Sequence, residues 1–198
     1  MEIYSLEYKY IFLIFVKYKY YSMKKIIALA GSNSKNSINK QLAVYAANQV
    51  NGVEVIVLDL NNFELPLYGI DYEMENGIPE NAQKFLDEIK SSDAIVLSLA
   101  EHNGAYSSVF KNLIDWMSRI DGKLWNNKPM LLMATSPGDR GGASVLEIAK
   151  VRFPHMGGNI LADFSLPSFN QNFLEDKIVN SQLRSDFEEA IKKLEQAI

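Results

Sequence analysis

The sequence predicts an α/β fold: a parallel five-stranded sheet with helices on both faces. Three observations predict it. From Met23 onward, short apolar runs alternate with stretches whose apolar residues recur every three or four positions, as strands and helices do in turn. The runs are apolar almost throughout, as strands buried on both faces are. Repeated strand–helix alternation gives right-handed crossovers and parallel neighbours.

The first strand is Ile26–Ala30, ending at Gly31. Ile38, Leu42, Tyr45, Ala46 and Val50 follow at helical spacing, and Val53–Leu58 is the second strand. A loop with Pro66, Gly69, Gly77 and Pro79 comes next. Pro79 suits the first turn of a helix, with Ala82, Phe85, Leu86 and Ile89 on its buried face. Ala94–Ala100 is the third strand; Val109, Phe110, Leu113, Trp116, Met117 and Ile120 mark the helix after it. Met130–Thr135 is the fourth strand. A Pro/Gly loop then leads to a helix with Val145, Leu146, Ala149 and Phe153. Ile160–Ala162 is a short fifth strand, and Leu183, Phe187, Ile191, Leu194 and Ile198 mark a C-terminal helix.

The 198 residues fit one domain, long enough to bury a core without staples. With no cysteine, disulfides, thiolate metal sites and cysteine nucleophiles are excluded. The lack of cysteine fits a reducing compartment, and a cytoplasmic location is expected. The net charge of −4 argues against a nucleic-acid partner, which needs clustered Lys and Arg.

Residues 1–22 differ from the rest: six tyrosines and no Gly, Pro or Asn. The apolar run Ile11–Val16 is far short of the roughly 20 residues of a membrane span. Glu2 precedes any cation, and Lys17, Lys19 and tyrosines stand where a signal peptide is cut. No secretion and no membrane association are expected. Residues 1–22 are read as an extension outside the fold, with residues 23–198 as the domain. A misplaced start codon, an arm packed on a partner subunit and a tail are the alternatives.

In such sheets ligands sit beyond the carboxyl ends of the strands, where the strand order switches. The loop after the first strand, Gly31–Asn39, opens a helix and carries Ser32, Ser34, Ser37 and Asn39. Free N–H groups and the helix dipole suit a phosphate there, with Gly31 allowing a sharp turn. The alternative is a polar turn with a helix cap. No GxGxxG and no GxxxxGK[ST] is present, so a nicotinamide Rossmann site and a P-loop NTPase are unsupported.

The loop after the third strand contains Glu101, His102, Asn103 and Gly104; the glycine permits close backbone approach to a ligand. Ala100-Glu-His-Asn-Gly104 followed by Lys111-Asn-Leu-Ile-Asp-Trp116 resembles the NADPH-dependent FMN reductase family. That family's usual pattern is Pro-Glu-Tyr-Asn-Gly, then Lys-Asn-Ala-Ile-Asp-Trp. Leu65-Pro-Leu-Tyr68, the serine loop and Ser136-Pro-Gly-Asp-Arg-Gly-Gly142 resemble further segments of it, and the likeness spans residues 24–162.

The resemblance implies a flavodoxin-like three-layer sandwich with strand order 2-1-3-4-5. It implies FMN at the switch between strands one and three, and NADPH or NADH as co-substrate. Ser32, Ser34, Ser37 and Asn39 would hold the FMN phosphate. Glu101, His102, Asn103 and Gly104 would border the isoalloxazine ring. Ser136, Pro137, Gly138, Gly141 and Gly142 would approach it from the other side. It also implies a homodimer or homotetramer. Ser34 stands where the family usually has arginine, with Lys35 adjacent; Ala100 and His102 replace Pro and Tyr; Ser144 lies near where many relatives carry arginine.

The expected activity is hydride transfer from a nicotinamide to FMN, then to a small-molecule electron acceptor: a quinone, azo or nitro compound, metal ion or flavin. The cofactor carries that chemistry, so no catalytic side chain is named. The rival readings are a flavodoxin-type electron carrier without nicotinamide activity and a flavin-free interaction module. His102 and His155 are the only histidines, and no metal site is expected. Ser136 lacks a nucleophile elbow, which argues against a hydrolase. Trp116 reads as core or subunit contact, Asp115 as structural and His155 as a helix-end or surface residue.

Overall fold

The computed structural model describes residues 23–198. The reading of residues 1–22 lies outside the described residues. Five parallel strands form one sheet: β1 (Lys24–Gly31), β2 (Val53–Leu58), β3 (Ala94–Leu99), β6 (Pro129–Thr135) and β7 (Asn159–Leu166). Their order is β2-β1-β3-β6-β7, which is 2-1-3-4-5 once two short hairpins are set aside.

The continuous apolar runs follow from two buried faces. In β1, Ile26 and Ala28 pack with α1 (Ile38–Asn48) and α7 (Ser181–Glu195), while Ile27 and Leu29 face the opposite core. That second core is covered by α3 (Glu80–Ser91), α4 (Ser108–Ile120) and α5 (Ala143–Arg152). Strands β3 and β6 alternate likewise. Period-two alternation with an apolar residue at every step is the signature of a sheet sandwiched between helix layers.

Four features depart from expectation. The segment read as a loop contains a short helix, α2 (Ile70–Asn76), with no buried residue. It has no apolar stripe to betray it; Arg119 on α4 holds it through Glu73, which also accepts from the Tyr68 hydroxyl. Strand β7 runs on to Leu166 because the alternation continues past the apolar run: Phe164 and Leu166 are buried on the α1/α7 side, while polar Asp163 pairs with Lys150 of α5 and half-buried Ser165 bonds the Gly141 carbonyl on the other face. Pro79 is the N-cap of α3, one position before its first turn. Two hairpins escaped the sequence: β4 (Glu101–His102) with β5 (Ala105–Tyr106), and β8 (Phe173–Leu174) with β9 (Lys177–Ile178), the latter after the short helix α6 (Phe169–Asn172).

Trp116 is a core residue; its indole N–H donates to the Pro66 carbonyl at 2.8 Å. Asp115 pairs with Lys111 on the helix surface. His155 is exposed in a 3-10 turn after α5.

Two carboxylates pin the sheet's margins. The Lys40 ammonium, 2.6 Å away, holds the Asp59 carboxyl below its ordinary pKa; for Asp93 the main cause is the Lys25 backbone N–H, aided by Lys24. A depressed folded-state pKa adds stability that is complete above the unfolded value, about 3.9. That stability is lost as pH falls through the folded value. Asp93→Asn should therefore be less stable than wild type at neutral pH, with the gap closing in acid. Urea midpoints across that range check this, and a pH-independent gap would refute it.

Candidate functional site

Three loops meet at the carboxyl ends of β1, β3 and β6. Gly31 closes β1 because space demands it: a Cβ there would lie 3.1 Å from Leu99 Cδ2 and 3.3 Å from Phe110 Cγ. It is absent from the glycines with positive φ, so close packing explains it and a sharp turn does not. Ser107 Oγ donates to its carbonyl at 2.7 Å, tying the loop to the start of α4.

Ser37 caps α1, its Oγ accepting from the Lys40 N–H at 3.2 Å. That use leaves the hydroxyl hydrogen free to donate. Ser32 Oγ accepts from the Ser34 N–H, and Ser34 and Lys35 are exposed. In the first turn of α1, the Lys40 and Gln41 N–H groups bond Ser37, and the Ile38 and Asn39 N–H groups have no protein acceptor among the described residues.

Asn39 behaves otherwise than expected. It is 3% exposed, its Nδ2 donates to the Thr135 carbonyl, and its Oδ1 accepts from the Thr135 N–H and Ser98 Oγ. Its amide locks the start of α1 onto β3 and β6, engaging both polar atoms of the side chain within the protein.

The second loop is a tight hairpin. Glu101 pairs with Tyr106 and His102 with Ala105. Asn103 (φ 51°) and Gly104 (φ 78°) form the turn, the left-handed pair of a type I′ hairpin. A Cβ on Gly104 would meet no protein atom within 4 Å, so within the protein the positive φ of the turn is what calls for this glycine. Tyr106 is wedged between Phe110 and Phe153, and burial pushes its phenol up to about 12. The Glu101 carboxylate also turns inward: Oε2 accepts from the Val145 N–H at 3.0 Å. Expected beside a ring, it is committed to α5. His102 and Asn103 remain exposed.

The third loop is locked from behind. The Ser136 carbonyl accepts from Phe169 N–H, the Gly138 carbonyl from Ser168 N–H, and the Gly141 carbonyl from Ser165 Oγ. Gly141 and Gly142 are buried with φ of 58° and 78°. They set the loop's course and present no surface, a second correction to the expected ring contacts. Ser136 is half-buried, and Pro137 and Gly138 are exposed. The N–H groups of Gly138, Asp139 and Arg140 find no protein acceptor among the described residues. Arg140 donates to Ser144 Oγ at 2.8 Å, so an arginine does stand beside Ser144. Among the described residues, neither Lys35 nor Arg140 is in an ion pair.

Sequence reasoning missed the buried hydroxyls that hold these loops, Ser98, Ser107 and Thr135. A serine inside the apolar run Ala94–Leu99 was the available signal.

The family model described as NADPH-dependent FMN reductase matches residues 24–173. The chain belongs to this family. It is 30% identical to the quinone reductase of Escherichia coli K12 over 125 residues, 60% of this chain and 63% of that protein. It is 35% identical to a Burkholderia 2-hydroxy-1,4-benzoquinone reductase over 121 residues, 60% of this chain and 64% of that protein. These matches span less than two thirds of the curated relatives' length. Among solved structures it resembles FerB, a flavoenzyme NAD(P)H:(acceptor) oxidoreductase of Paracoccus denitrificans. The TM-score is 0.67 at 26% identity, over 88% of this FMN reductase-family chain and 98% of FerB.

Among the described residues, no helix is long and apolar enough to cross a membrane, and no three His, Asp or Glu side chains cluster as a metal site.

Proposed function

We propose that the chain is an FMN-dependent NAD(P)H oxidoreductase that reduces a small acceptor, with quinones foremost. The observation that carries this reading is the family match over residues 24–173, falling on three loops that converge at the strand-order switch between β1 and β3. The names of the quinone-reducing relatives support the acceptor class. A homodimer or homotetramer in the cytoplasm, built from residues 23–198, belongs to the same proposal.

The residues present fit FMN. The Ser37 hydroxyl keeps a free hydrogen, and the first turn of α1 has free N–H groups for a phosphate dianion. Ser32 and Ser34 complete that cradle, and exposed Lys35 supplies the cation next to the position where the family usually has arginine. Bound FMN would supply the redox chemistry, hydride transfer between a nicotinamide and the acceptor. His102, Asn103 and the hairpin backbone border the ring on one side; Ser136, Pro137 and Gly138 border it on the other. The free N–H groups of Gly138, Asp139 and Arg140 favour negative charge on the reduced ring. Asn39, Glu101, Gly141 and Gly142 serve as supports.

The test is the visible spectrum of the full chain after FMN loading and removal of excess. Retained flavin bands that bleach on anaerobic NADPH or NADH are expected. Bands that neither nucleotide bleaches would mark an electron carrier, and no retained flavin would end the FMN reading. Ser37→Ala should weaken FMN binding about tenfold, or about 1.4 kcal/mol, as expected for loss of one hydrogen bond to a charged group.

A further inference from the structure

Helix α5 has no N-cap of its own. Its cap position is Gly142, which offers no side-chain acceptor, and its first turn contains no acidic residue. An N-terminus left in that state exposes unpaired N–H groups. Here the acceptor comes from 44 residues earlier in the chain: Glu101 Oε2 accepts from Val145 N–H in the first turn of α5 at 3.0 Å. Among the described residues this is the one hydrogen bond joining the β4–β5 hairpin to the loop and helix start after β6. Those two segments are the walls of the proposed ring slot.

The hairpin geometry aims Glu101 there. Cross-strand partners lie on the same face, and Glu101 is paired with Tyr106. Tyr106 packs inward on Phe110 and Phe153. The next pair, His102 with Ala105, lies on the opposite face. The Asn103–Gly104 turn fixes the register. Glu101 therefore faces α5 while His102 faces outward.

We infer that Glu101 is a positioning residue: by serving as the distant cap of α5, it sets the width of the slot between the hairpin and the Ser136–Gly142 loop. The inference rests on the FMN reading for the identity of the slot's occupant. The bond itself does not depend on any cofactor. Slot width governs how closely both walls approach a flat ring, so Glu101 acts on FMN affinity without touching FMN.

Two substitutions separate reach from charge. Glu101→Gln keeps an oxygen at the same reach and loses the charge. Glu101→Asp keeps the charge but retracts it by about one C–C bond, roughly 1.5 Å, beyond hydrogen-bond distance of Val145. Amide exchange of Val145 in the flavin-free chain reads the clamp directly. It should be about tenfold faster in Glu101→Asp than in wild type, and within about threefold of wild type in Glu101→Gln. FMN titration reads the consequence: about tenfold weaker binding, with altered flavin absorption bands, for Glu101→Asp, and near-wild-type binding for Glu101→Gln. Equal Val145 exchange in all three proteins would overturn the inference. So would wild-type FMN binding by Glu101→Asp, or binding by Glu101→Gln as weak as that of Glu101→Asp. A wild-type chain that binds no FMN defeats the cofactor reading and the slot with it; a wild-type chain that binds FMN, with no penalty for Glu101→Asp, defeats the slot alone.

Discussion

Gly141→Ala is expected to destabilise the protein by about 3 kcal/mol and to abolish retention of FMN. Two terms add. A left-handed backbone costs an L-residue roughly 1–2 kcal/mol, and Gly141 has φ of 58°. A Cβ built there would also lie 2.8 Å from the Pro167 backbone N and 3.0 Å from the Leu166 carbonyl carbon, and would clash with Ser165 Oγ. Overpacking of this kind costs roughly 1–3 kcal/mol. The neighbours are backbone, and they cannot simply step aside. Leu166 accepts from Thr135 Oγ at 2.6 Å, and Ser165 Oγ is bonded to the Gly141 carbonyl. The Ser136–Gly142 loop must move, and with it one wall of the slot. Gly104→Ala is the control: its φ is 78°, but nothing lies within 4 Å of its Cβ. Only the left-handed term applies, about 1 kcal/mol. Urea denaturation of both variants decides the matter, and equal losses would refute the packing argument.

The sheet was legible because its strands face apolar layers on both sides, which leaves long apolar runs, and because its helices bury one stripe each. What escaped was structure held by polar contacts. Helix α2 buries no residue, so no apolar period marks it. The β4–β5 hairpin was marked in the sequence by Asn103-Gly104, the dipeptide that a type I′ turn favours, but its strands are too short to alternate visibly. In the site, the loops were placed correctly on the strands that precede them. The direction of individual side chains was not legible. Nothing in the local sequence shows that Asn39 turns toward Thr135, 96 residues later, or Glu101 toward Val145. Polar residues in a ligand loop look alike in sequence whether they face the ligand or brace the loop, because both roles need the same donors and acceptors.

Asn39 is the sharper case, and Asn39→Ala distinguishes the two roles. As a clamp, its amide satisfies three buried groups: Ser98 Oγ at 2.7 Å, Thr135 N–H at 3.1 Å and the Thr135 carbonyl at 3.2 Å. Each buried group left unpaired costs roughly 1–3 kcal/mol. The Ser98 hydroxyl can rotate to recover part of its loss, so a total near 4 kcal/mol is expected. Ser98→Ala should cost only about 1 kcal/mol, since the Asn39 oxygen keeps its bond from Thr135. Because the clamp fixes the start of α1, Asn39→Ala should also weaken FMN binding, but as a consequence of lost order. As a direct phosphate donor, the same residue would give the opposite pattern: weakened FMN binding at nearly wild-type stability. Urea midpoints measured on flavin-free protein, beside FMN titration at a temperature where both variants are folded, separate these outcomes. A stability loss below about 1 kcal/mol, smaller than one unpaired buried group costs, would return Asn39 to the phosphate site.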